Sequence, residues 1–303
     1  MHRQPVRGAA CLLACLAGAC GGKRPPQPPP LPALNLTPKL PRLQEIAASA
    51  PAPADDKELA KARQLLEPAF VSEIGDARLA ARSRTALLAE PCAGEVLEEA
   101  LQHESAEVRA GAAFELGGLD RPAAIVPLVL RLKYEPDPTV LVWVADALAR
   151  RGCGAGIDPL LGALRVATTA DLAGQRAILL LRAHDMDPGE APTWDAIEAG
   201  LRTLRDRWRA TGRLGDEAPA ADDATRARLA GLLVALQGFQ LRPVDDARFV
   251  LGRTGRLGVP LLREAVSASE PYLRSHALEV LRDLGPAAND AAPDVLPLLA
   301  DPL

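Results

Sequence analysis

Residues 108–116 read Val108-Arg109-Ala110-Gly111-Ala112-Ala113-Phe114-Glu115-Leu116, and their pattern returns 32 residues later. Val140 matches Val108, Ala145 matches Ala113 and Leu148 matches Leu116. The register persists into the next segment: Ile125-Val126-Pro127-Leu128-Val129 aligns with Ile157-Asp158-Pro159-Leu160-Leu161, and Leu132 with Leu164. Val108, Ala112, Leu116 and Leu119 are spaced four, four and three apart, which places all four side chains on one face of a helix. Two consecutive segments held in one register indicate a repeating pair of helices.

Working outward, Ala77-Arg78 lies 31 residues before Val108-Arg109, and Leu172 lies 32 after Val140. Leu273-Arg274, followed by Ala277, Leu281 and Leu284, repeats the same spacing near the C-terminus. The punctuation agrees. Asp137-Pro138 and Glu270-Pro271 occupy one place in their repeats, where proline suits a first helical turn because its missing N–H costs nothing. Ser105 and Thr169 hold the Asp137 place and are expected to act as N-caps. Pro127, Pro159, Pro260 and Pro297 each precede Leu, as the first turn of a second helix. Residues 205–242 are degenerate, with an odd helix at 222–238 that has no obvious mate.

Composition supports an all-α reading. The chain is 48% hydrophobic but only 3% aromatic, so its core must come from many small aliphatic contacts, and closely packed Ala- and Leu-rich helices supply them. β-branched runs expected of strands are sparse. Lys+Arg (35) and Asp+Glu (39) are interspersed, and the net charge of −4 leaves no basic footprint for nucleic acid.

The first residues, MHRQPVRGAACLLACLAGAC, combine two arginines with an apolar run from Gly8 to Ala19 and contain no acid. That is a charged leader with a hydrophobic stretch too short to span a bilayer. Leu16-Ala17-Gly18-Ala19-Cys20 resembles the lipobox of bacterial lipoproteins, in which small residues precede a cysteine that receives lipid. Ala17 departs from the family's preferred Leu, and Leu12-Leu13-Ala14-Cys15 is the alternative, with a shorter apolar run before it. We take Cys20 as the lipid-attachment residue, residues 1–19 as the signal peptide and 20–54 as the lipidated N-terminus and linker. The ten prolines between Pro25 and Pro53 favour a disordered, extended tether, reaching roughly 100 Å at about 3.1 Å per residue. By analogy with sorting rules, absence of Asp after Cys20 directs the protein to the outer membrane, facing the periplasm.

Helix pairs every 31–34 residues, with Val-Arg early in the first helix and Pro-Leu-Leu in the second, resemble HEAT repeats of the short, bilin-lyase-like kind. The resemblance implies an α-solenoid over residues 55–303 in which each repeat touches its neighbours and ligands lie along the ridge of second helices. Asp55 to Glu67, amphipathic and polar on one side, suits a terminal cap of that stack.

Catalytic groups are sparse. His2, His103, His184 and His276 each stand alone, with no Cys–His or Ser–His–Asp arrangement in view. His184-Asp185-Met186-Asp187 is the most ligand-like run, but it lacks a calcium-loop glycine and a twelfth-place acid and is expected to be a solvated turn. Asp222-Asp223 and Asp245-Asp246 are expected to open helices, where acids suit the dipole. Trp143, inside Leu141-Val142-Trp143-Val144, is expected in the core; Trp208, among Arg205, Arg207 and Arg209, is the candidate partner anchor together with Arg205. Cys92 and Cys153, two repeats apart, are expected to be unpaired.

These features lead to an expectation of a non-catalytic, membrane-anchored scaffold or assembly subunit in the bacterial cell envelope. No catalytic, cofactor-binding or metal-binding residues are assigned. Its partners are another protein and, through lipid, the membrane. The alternatives are a HEAT-type enzyme, as the resemblance to bilin lyases and alkylpurine DNA glycosylases implies, and a structural spacer without a specific partner.

Overall fold

A computed structural model of the chain describes residues 39–71, 77–215, 221–238 and 240–300. Cys15, Cys20, the signal peptide and the proline-rich run as far as Pro38 lie outside the described residues. The architecture is all-α. In chain order the helices are α1 (Leu40–Ala48), α2 (Asp56–Gln64), α3 (Leu66–Phe70), α4 (Ala77–Leu88), α5 (Ala93–Ala100), α6 (Ala106–Gly118), α7 (Ile125–Tyr134), α8 (Pro138–Arg150), α9 (Ile157–Ala163), α10 (Ala170–Ala183), α11 (Trp194–Thr211), α12 (Asp223–Ala235), α13 (Leu241–Leu251), α14 (Val259–Val266), α15 (Pro271–Leu284) and α16 (Ala292–Val295).

The 32-residue period is exact between the starts of α6, α8 and α10. Local chemistry sets those starts. The Asp137 carboxylate accepts from the N–H groups of Thr139 (2.7 Å) and Val140 (3.1 Å), with Pro138 at the first helical position. Ser105 Oγ accepts from Val108 N–H at 3.4 Å. Thr169 departs from expectation. Its buried hydroxyl donates backwards to the carbonyl of Ala163 at 2.9 Å, which also accepts from Val166 N–H, instead of capping α10.

The first helices α6, α8 and α10 pack side by side, with α8 in the middle. Ala112, Ala113 and Ala145 are fully buried where the helices meet. Gly117 permits the closest approach, since a Cβ there would sit 2.7 Å from Ala147 Cα. The hairpin of α6 and α7 is tied by a buried ion cluster. Arg109 grips Glu135 with both Nε (3.0 Å) and Nη2 (2.8 Å), and Arg131 Nε donates to the same carboxylate at 2.6 Å. Burial by itself would raise the Glu135 pKa, but hydrogen bonds from Arg109, Asp137 N–H and Arg131 outweigh it and hold the carboxyl below its ordinary range.

The paired helices expected of a solenoid over residues 55–303 are present, and the second half of the chain folds back on the first. α12 packs on the turn Pro122–Ala124, and α13 packs on α7. Lys133 binds Asp245 (2.5 Å) and Asp246 (2.8 Å), and Arg228 binds Glu98 (2.6 Å). One apolar cluster therefore joins Leu97 and Leu128 to Leu233, Leu262 and Leu281. The ridge of second helices, where a ligand was expected, is covered at α7 by α12 and α13 and at α9 by α11. Asp245 and Asp246 consequently lie in mid-α13 facing Lys133, not at a helix start, whereas Asp222 does cap α12 through Thr225 N–H at 2.7 Å.

A second correction concerns the linker assigned to 20–54. Leu40–Ala48 is a helix whose Leu43 is fully buried. Pro41 falls in its first turn, where proline is tolerated, and no other proline follows until Pro51. α1 packs along α12. It is the mate that the odd helix in the degenerate region lacks locally. Cys92 and Cys153 are both buried and unpaired, as expected.

Candidate functional site

Because α6, α8 and α10 repeat in register, side chains on their outward faces form a ladder. Phe114 of α6 meets Trp143 of α8 edge to face, with centroids 5.5 Å apart and ring planes at 85°. A cation sits on each ring: the Arg150 guanidinium lies 4.7 Å from the Phe114 centroid, and that of Arg176 lies 4.6 Å from Trp143. Such stacking holds a guanidinium in place and leaves its N–H groups free to donate.

Between the cations lies Asp146, 5% exposed. Arg150 Nε donates to it at 3.0 Å, and Arg150 Nη2 donates to the Phe114 carbonyl at 2.7 Å. Burial raises the Asp146 pKa above the ordinary aspartate range, against the opposing pull of Arg150 and Arg176. Arg176 makes no hydrogen bond or ion pair among the described residues, and its Nε is fully buried.

These groups line a groove of about 480 Å³ whose remaining wall is apolar, formed by Ala149, Leu179, Leu180 and Ala183. Leu179 is 52% exposed despite its size. At one end lies His184, whose pKa is lowered by burial and then by Arg207, so the imidazole is largely uncharged at neutral pH. The groove thus offers apolar walls, one carboxylate bonded by Arg150 and one ring-stacked cation whose Nε has no hydrogen-bond acceptor among the described residues.

The sequence-assigned anchors lie elsewhere. The Trp208 indole is seated on two turns, over Gly154, where a Cβ would fall 2.5 Å from the ring, and over Gly255, whose φ of +58° also favours glycine. Trp208 therefore wedges α11 between Gly154–Gly156 and Gly255–Gly258, and much of its surface is consumed in that packing. Arg205 reaches Asp158 (3.7 Å) and Asp206 (3.1 Å), and Arg209 reaches Asp158 at 2.9 Å. Both line a cleft of about 370 Å³. A larger hollow of about 520 Å³ between α3 and α5 is bordered by Arg63 and Glu99, which neutralise each other at 2.8 Å.

Of the other candidates, Asp187 accepts from Gly189 N–H at 3.1 Å and closes its own turn, while Asp185 adopts a left-handed φ of +57°. Among the described residues no three His, Cys, Asp or Glu side chains converge on a metal position. Sequence reading placed Trp143 in the core, and most of its neighbours are indeed apolar. The missed signal was spacing: Trp143, Asp146 and Arg150 stand three and four apart, on one face of α8.

Residues 94–182 match the HEAT-repeat family. This stretch carries HEAT repeats. The matched stretch runs from α5 through most of α10, so Phe114, Trp143, Asp146, Arg150, Arg176 and Leu179 all lie on it. No curated protein matches the chain. The HEAT match concerns architecture.

Proposed function

We propose that this HEAT-repeat protein is a non-catalytic interaction module, exported and held by lipid on Cys20 at the bacterial cell envelope, whose protein partner binds the groove across α6, α8 and α10. The groove carries the reading. A structural spacer has no use for a half-exposed Leu179 beside a buried Asp146 and an Arg176 whose buried Nε has no hydrogen-bond acceptor among the described residues. Burying polar groups without partners costs stability, and a binding partner that supplies the missing contacts recovers it.

The envelope location rests on the leader, the lipobox-like run and the tether composition of residues 1–38. An enzyme is disfavoured because no nucleophile with an adjacent base faces the groove; its titratable groups are Asp146, engaged by Arg150, and His184. Crosslinking followed by recovery of partners from native membranes tests the reading. Leu179→Asp, at an exposed position, leaves the fold intact and abolishes recovery of the principal partner. Undiminished recovery by that variant removes the groove from the account.

A further inference from the structure

We infer that the groove of α6, α8 and α10 recognises a partner segment that presents a carboxylate side chain next to an aliphatic one. This rests on the groove being the partner face and specifies what the partner must carry.

The titratable groups facing the groove come from two helices. α8 contributes Asp146 and Arg150, α10 contributes Arg176, and the end of α10 contributes His184. Arg150 and Asp146 satisfy each other, and Arg150 is further engaged by the Phe114 carbonyl. Asp146 is thus the one carboxylate shared by two guanidinium groups, and Arg176, without a direct hydrogen bond or ion pair among the described residues, leaves the groove net positive. Its guanidinium is oriented by the Trp143 ring, so a bound carboxylate gains a two-point contact at low entropic cost.

Leu179 follows Arg176 by three residues on α10, which puts their Cβ atoms roughly 5–6 Å apart on one helix face. The apolar wall therefore begins one side chain away from the Arg176 guanidinium. An isolated phosphate would use the cation and waste the wall; a purely aliphatic segment would bury Arg176 unpaired. A basic segment would meet like charge. Only a carboxylate flanked by Leu, Ile or Met answers both features.

The test is selection of short random peptides, displayed on phage, against the purified full chain. Enriched peptides are expected to carry Asp or Glu within one turn of a large aliphatic residue. A synthetic copy of the best one should quench tryptophan fluorescence in wild type and not in Trp143→Phe. Its affinity should fall by about tenfold or more in Arg176→Gln and in Leu179→Ser, with Arg176→Lys between wild type and Gln. Thermal melts confirm that these variants stay folded. Enrichment of basic or purely aliphatic peptides, absence of enrichment, or equal binding by Arg176→Gln overturns the inference. If acidic peptides fail while Leu179→Asp still abolishes recovery of the native partner, the ligand class falls and the groove survives. If Leu179→Asp leaves recovery intact, the groove itself falls.

Discussion

Arg274 repeats, in α15, the task that Arg109 performs in α6. Arg109 Nη1 donates to the carbonyls of His103 (2.9 Å) and Glu104 (2.7 Å), and Arg274 Nη1 donates to those of Ala268 (3.0 Å) and Ser269 (2.8 Å). In both cases the acceptors lie six and five residues earlier, in the turn before the helix. In α6 and α15 the arginine is thus a buried latch that ties the helix to the turn before it, and it satisfies carbonyls that the helix ladder cannot reach.

Arg109→Met should be severe. It removes both carbonyl contacts and leaves the buried Glu135 with only Arg131 and the Asp137 N–H. Breaking a buried pair costs about 3 kcal/mol, which lowers the Tm by roughly 6–12 °C in a domain of this size. Arg109→Lys restores the charge without the fork and recovers only part of the loss. An unchanged Tm for Arg109→Met contradicts the latch.

Two buried carboxylates should give opposite acid behaviour. Glu135 titrates below its unfolded value, so its contribution to stability is present above about pH 4.3 and disappears as the pH falls through its folded pKa. Asp146 titrates above its unfolded value, so its contribution is present at low pH and is lost as the pH rises through its folded pKa. Glu135→Gln should therefore lower the Tm at neutral pH and flatten the acid limb. Asp146→Asn should leave the neutral Tm equal or higher and converge on wild type in acid. Tm profiles across acid and neutral pH decide it, and parallel profiles for the two variants contradict it.

Much of the fold was legible because its determinants are local. Asp137-Pro138, Ser105 and the Pro-Leu steps at Pro127, Pro159 and Pro260 mark helix starts through neighbouring atoms, and the 32-residue period multiplies each signal. The fold-back was not legible. Lys133 meets Asp245 and Arg228 meets Glu98 across more than a hundred residues, and no local pattern encodes such pairs. Proline density hid α1, because what matters is where Pro41 falls within the turn. The groove was hidden by the apolar run around Trp143, which conceals that this ring carries Arg176 on its face.

α1 should behave as part of the folded body. Leu43 is fully buried against the second half of the chain, and Leu→Ala at such a site costs about 2–5 kcal/mol, limited by the free energy with which α1 docks. Leu43→Ala should lower the Tm by several degrees and expose Leu40–Ala48 to limited proteolysis. Unaltered stability and cleavage would assign the segment to the tether after all.

The account turns on which surface meets the partner. A photoreactive residue placed singly at position 179, in the groove, and at position 205, beside Trp208, separates the alternatives when cells are irradiated with the envelope intact. The account predicts a discrete protein adduct from position 179, lost when Arg176→Gln is added, and none from position 205. An adduct from position 205 with none from position 179 contradicts it.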